Sequence, residues 1–175
     1  MAITKIQSES LNLSDNYDFT GTVTGAGGVN TPAFEAYRNG DVSMSYNTNT
    51  LIPYNVEVFD TDNCYDNTTN YRFTPNVAGK YFFFASVQSG NTDDGEDFQI
   101  SIRKNGTTVS RARVKHHYGD NINTEVIVDM NGTTDYVELY GYQNTGGNLT
   151  TVAGSSQRRE CPEFQGVLVR AVWVQ

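Results

Sequence analysis

The 175-residue chain holds two cysteines, two histidines, one tryptophan and four prolines. Two cysteines cannot make the disulfide framework of a small secreted scaffold. Without CxxC spacing, Cys64 and Cys161 build neither a zinc finger nor a dithiol redox centre. His116 and His117 are adjacent, so on a strand they point to opposite faces and one chain cannot bring both to one metal. Charged residues make up 18% of the chain, against roughly 25% in an average protein. Lys and Arg total 12 against 20 Asp and Glu, and the net charge of −8 gives no general attraction to a nucleic-acid backbone or an anionic membrane surface. No apolar run reaches the ~20 residues of a membrane-spanning helix. The expectation is no nucleic-acid partner and no membrane insertion. The segment MAITKIQSES has neither the basic stretch nor the apolar core of a signal peptide, which points to a chain made in the cytosol. Gly-x-Ser-x-Gly, His-Glu-x-x-His and P-loop signatures are all missing, so no enzyme is expected.

What the chain has in excess is 20 Thr, 18 Asn, 16 Gly, 11 Tyr and 9 Phe. Thr, Tyr, Phe and Val suit a pleated, half-buried surface, and Asn and Gly suit turns, so the composition predicts many short strands and excludes a helical bundle. From Pro32 onward the pattern predicts strands at 33–37, 42–46, 54–59, 71–75, 79–89, 97–104, 107–117, 123–130, 135–143, 150–153 and 164–174. Asn39-Gly40, Asn105-Gly106 and Asn131-Gly132 supply the φ > 0 residues of tight turns, and hairpins are expected at the last two. Strands at this spacing without helical periodicity mean an antiparallel sandwich or barrel. The segment 164–174 is apolar at nearly every position and reads as a central strand. Tyr81-Phe82-Phe83-Phe84 puts aromatics on both faces of another strand, and its second apolar face needs a partner surface.

Five motifs in order then carry a resemblance. Pro32-Ala33-Phe34-Glu35-Ala36, Phe59-x-x-x-Asn63-x-Tyr65-Asp66, Phe73-x-Pro75-x-x-x-Gly79-x-Tyr81-Phe82-Phe83, Lys104-Asn105-Gly106 and Phe164-x-Gly166-x-Leu168 make residues 32–172 resemble the complement C1q-like globular domain of the C1q/TNF superfamily. The resemblance implies a ten-strand antiparallel jelly-roll sandwich that associates as a homotrimer through apolar and aromatic faces. Phe34, Tyr81, Phe82, Phe83, Phe84, Phe164, Gly166, Leu168 and Trp173 become candidates for core or trimer packing, each with ordinary core as the simpler role. A collagen-like Gly-x-y stalk is missing, so the secreted members' roles do not carry over. The stretch AITKIQSESLNLSDNYDFTGTVTGAGG instead resembles the N-terminal arms of bacteriophage tail-fibre and virion appendage proteins.

The chain thus divides into an arm, 1–31, for docking or trimerisation and a jelly-roll domain, 32–175. The expected protein is a structural part of a virion assembled in the host cytoplasm, either a tail or head fibre or a capsid decoration protein; a cellular lectin-like C1q-domain protein is a further alternative. Expected partners are its own copies, other virion proteins through the arm, and a host-surface glycan or protein at loops near 89–96, 118–123 and 143–160. Arg111, Arg113, Lys115 and His117 form a basic stripe on one strand face, which could be solvated, meet the acidic run at 93–97, or bind an anionic glycan or phosphate-bearing surface. Asp93, Asp94, Glu96 and Asp97 offer oxygen ligands for calcium, without the register of an EF-hand. Cys64 and Cys161 stay open between two buried thiols and a disulfide.

Overall fold

The computed structural model describes residues 32–90, 97–115 and 119–151, and the backbone of 168–174. Thirteen strands and no helix occur among these residues: β1 Phe34–Tyr37, β2 Val42–Met44, β3 Thr50–Leu51, β4 Val56–Asp60, β5 Tyr65–Asp66, β6 Arg72–Phe73, β7 Gly79–Gln88, β8 Asp97–Lys104, β9 Thr107–Lys115, β10 Asn121–Met130, β11 Val137–Gln143, β12 Leu149–Thr151 and β13 Leu168–Val174. They form a five-stranded sheet ordered β10-β7-β13-β1-β4 and a six-stranded sheet ordered β5-β6-β11-β8-β9 with β3 also on β11, while β12 pairs β2. Every ladder is antiparallel. This is the expected all-β jelly-roll sandwich, with the two-residue strands β3 and β5 added to the anticipated set.

The core lies between the sheets because strand side chains alternate. Along β7, Tyr81, Phe83, Ala85 and Val87 are fully buried. They meet Phe73, Phe98, Ile100, Ile102 and Leu139 from the opposite sheet. Phe34 stacks on Tyr65 and Phe73 with ring centroids 4.5 and 4.7 Å apart, and Phe73 meets Phe83 edge-on at 6.0 Å. These are the offset and edge geometries that add to plain area burial. The hydroxyls are mostly satisfied: Tyr65 donates to Tyr54 O at 2.9 Å and Tyr81 to Val77 O at 2.7 Å. Desolvation pushes the Tyr81 hydroxyl up to about 12. A cavity of about 20 Å³ beside Tyr54, Tyr65 and Tyr71 has room for a water but not for an organic ligand.

Asn105-Gly106 forms the expected hairpin. Both residues have positive φ, 50° and 79°, and join β8 to β9. Asn131-Gly132 does not. Only Gly132 has positive φ, β10 pairs β7 in one sheet, and β11 pairs β8 in the other, so this segment crosses between the layers. The reason is local: Asn131 Oδ1 accepts the N–H groups of Thr133, Thr134 and Asp135, each at 2.9 Å, and closes a loop that turns the chain out of its first sheet. Asp135 then ties both turns together, accepting from Lys104 Nζ at 2.8 Å, Asn105 Nδ2 at 2.7 Å and Asn131 N at 2.9 Å. Asn39-Gly40 also lies between sheets, linking β1 to β2. The segment 164–174 was expected as a central strand, and β13 does sit between β7 and β1.

The alternation yields a direct contrast. Phe83→Ala should lower the unfolding free energy by about 3–5 kcal/mol, the usual cost of emptying an aromatic core site. Phe84→Ala, on the half-buried face of the same strand, should cost the single chain less than half as much; urea denaturation at a protein concentration low enough to keep the chain monomeric measures both.

Candidate functional site

With the core filled by the inner faces, the outer faces of the two sheets carry the side chains that the described strands present outward. On the five-stranded sheet, Phe82 and Phe84 of β7 point outward and are only half-buried. Ile127 stands opposite Phe82 on β10 and is 56% exposed, and Phe59 of β4 is 42% exposed. Glu125 opposite Phe84 and the Lys80–Asp129 pair at 2.6 Å bound the Phe82, Phe84 and Ile127 cluster, while Phe59 stands apart, with Arg170 of β13 and Glu35 of β1 between it and Phe84 in the same cross-strand row. An apolar centre with a polar rim is the ordinary anatomy of a protein–protein contact.

The packing candidates therefore separate. Phe34, Tyr81 and Phe83 are core, whereas Phe82 and Phe84 face out. Leu168 and Trp173 occupy the central strand, paired with Ser86 and Tyr81. Phe164 and Gly166 lie outside the described residues. Ile127 and Phe59 were not anticipated. The signal for Ile127 is a lone apolar residue between Glu125 and Asp129 on the solvent phase of a strand.

On the six-stranded sheet, register sets the outer face rung by rung. Tyr140 lies beside Ser101 and Ser101 beside Arg111; Tyr142 lies beside Gln99 and Gln99 beside Arg113. The Arg72 and Arg103 guanidiniums stack over Tyr136 and Tyr140, 4.4 and 4.1 Å from the ring centroids. Glu138 sits between them, and burial pushes its carboxyl up although both arginines pull it down. Arg113 and Lys115 meet the acidic run at one residue, Asp97: Arg113 Nη2 bonds its Oδ2, and Lys115 Nζ lies 3.2 Å from its Oδ1. The hydrogen bond from Arg113, more than any other contact, holds the Asp97 carboxyl down at about 2. Arg111 is exposed and has no carboxylate partner among the described residues.

Of the calcium candidates, Asp93, Asp94 and Glu96 lie outside the described residues, as do His116 and His117, and Asp97 is engaged by the two cations. Among the described residues no group of three or more His, Cys, Asp or Glu converges as a metal site. Cys64 is a buried thiol whose Sγ lies 3.7 Å from Asp62 O, with its ionisation pushed up by burial; Cys161 lies outside the described residues. Of the expected contact loops, 91–96, 118 and 152–160 are outside the described residues, while 121–123 belongs to β10 and 149–151 is β12.

No family model matches the sequence, and no curated protein matches it. Solved structures do match the fold. The globular domain of zebrafish complement 1qA superposes with a TM-score of 0.58 at 12% identity, covering 83% of this chain and 98% of that one. Murine APRIL at pH 8.0 gives 0.58 at 10% identity over 81% and 98%. The vertex protein P5 of phage PRD1 gives 0.58 at 12% identity over 85% and 100%. The described domain thus has the C1q/TNF-like jelly-roll fold.

The Asp97 pair has a pH signature. A carboxylate held below its ordinary value of about 3.9 adds stability above that value, and the contribution disappears as the pH falls toward its folded pKa. Carboxyl-detected NMR should find Asp97 titrating near 2. Arg113→Ala should raise that value; an unchanged titration would show that Arg113 is not its cause.

Proposed function

We propose that the chain is a non-enzymatic structural protein of a phage virion, a homotrimeric tail or head fibre whose residues 1–31 dock it to the particle and whose distal loops contact a host surface. One observation carries the trimer: among the described residues the five-stranded sheet has a filled inner face and an outer face on which Phe82, Phe84 and Ile127 are left partly or largely uncovered. Apolar surface of this kind is stabilised when another copy covers it. The likeness to C1q- and TNF-like domains supports self-association, and the likeness to a phage vertex protein supports a virion location. The structural neighbours reported above are complement-like, TNF-like and virion proteins, in keeping with a binding or mechanical role. Such a role needs no cofactor.

The vertex likeness also supports a second reading, a capsid decoration protein with a purely stabilising task. Immunogold labelling of purified particles, with density from a virion reconstruction, separates the two. Gold at the tail or on projecting head fibres supports the fibre, and regular density flush with the capsid surface supports decoration. Absence from the particle would overturn both.

A further inference from the structure

We propose that the outer face of the six-stranded sheet is a binding face for an acidic glycan, a sugar chain carrying carboxylate or sulfate groups. In a trimer sealed through the other sheet this face is turned outward and presented three times. That multiplicity rests on the proposed assembly, but the site within each chain does not.

The chain has a net charge of −8, yet five of its 12 Lys and Arg gather here: Arg72, Arg103, Arg111, Arg113 and Lys115. The described carboxylates on the same face are Asp66, Asp97 and Glu138. Asp66 is spent on its own loop, accepting from the N–H groups of Thr68, Thr69 and Asn70 at 2.9–3.0 Å. Asp97 is shared by two cations, which leaves part of their donor capacity unused. A local positive excess remains on a strongly acidic protein.

The cations are also prepared for anions. Arg72 and Arg103 lie over tyrosine rings, and a guanidinium held in this way loses little rotamer freedom when its N–H edge meets a carboxylate or sulfate. Arg103 is fixed further by donating from Nη2 to Asn49 Oδ1 at 2.7 Å, while its buried Nε has no partner. Arg111 stands across Ser101 from Tyr140 and offers a whole unpaired fork.

The groups between the cations select a sugar over a nucleic acid. Gln99, Asn49 and the hydroxyl of Tyr140 supply neutral donors and acceptors suited to sugar hydroxyls. A duplex carries one charge per ~1.7 Å, and so dense a polyanion is disfavoured by a chain whose net charge is −8. A glycan with one charge per sugar or fewer can place its anions on the arginines and its hydroxyls between them.

The test is biolayer interferometry of the full-length purified chain over four immobilised probes: polygalacturonate, dextran sulfate, neutral dextran and duplex DNA. Binding is expected to polygalacturonate, dextran sulfate or both, weakening with salt, and the arm that binds identifies carboxylate or sulfate as the recognised group. Arg111→Glu should weaken it at least about tenfold, equivalent to about 1.4 kcal/mol. Arg111 has no partner among the described residues, so the variant should keep the wild-type circular dichroism spectrum and melting curve. Lys80→Ala, on the opposite sheet, should bind within about twofold of wild type, well inside the tenfold step of 1.4 kcal/mol. The proposal is overturned by no binding to either charged polysaccharide, by equal binding to neutral dextran, by tighter binding to DNA, or by an unaffected Arg111→Glu variant. None of these depends on where the protein sits, so absence from the particle would remove the virion reading and leave this result standing.

Discussion

The side-chain alternation of β7 is the constraint on which the rest of the molecule depends. Tyr81 and Phe83 share one face and Phe82 and Phe84 the other, and the strand has a neighbour on each edge, β10 and β13. Neither aromatic pair can turn away without a one-residue slip, and a slip would only exchange the two faces. The inner pair is met edge-on by Phe73 of β6, which places the six-stranded sheet opposite. The outer pair, extended by Ile127, finds no such layer among the described residues. A sandwich built around this strand therefore completes one core and keeps a second set of apolar side chains on its outer face.

The second sheet distributes charge differently. Its inner face is as apolar as that of the first, but its outer face alternates tyrosines with arginines, so cross-strand stacking replaces ion pairing at Arg72 and Arg103. Stacking keeps a cation's charge uncancelled, whereas a salt bridge cancels it, as at Asp97. A chain that is acidic on average can thereby hold a basic face. Asp135, which ties the β8–β9 hairpin to the 131–136 crossover, fixes one end of that face to the layer beneath.

Much of this was legible in the residues. An antiparallel sandwich or barrel, the strands at 79–88 and 97–104, the Asn105-Gly106 hairpin and the division of Tyr81–Phe84 between two faces follow from period-two patterning and turn chemistry, which are local, whereas the jelly roll comes from the resemblance to C1q-like domains. The crossover at Asn131 was not legible, because the same Asn-Gly dipeptide serves a hairpin or a loop depending on whether the Asn side chain captures its own following N–H groups. Ile127 was hidden in a strand whose other outward residues are Asn, Glu and Asp. The basic stripe on β9 could be read from alternation, but the Arg72–Tyr136 and Arg103–Tyr140 stacks depend on which strands become neighbours, and that is set by the whole sheet order.

Self-association through the outer face of the five-stranded sheet is most directly tested by multi-angle light scattering on the purified full-length chain, alone and as Ile127→Asp. The wild type should show three times the 19.4 kDa chain mass, and the variant, with a carboxylate placed opposite Phe82, should shift toward the single-chain mass. A wild type that stays at 19.4 kDa, or a variant that stays trimeric, would contradict the role assigned to this face.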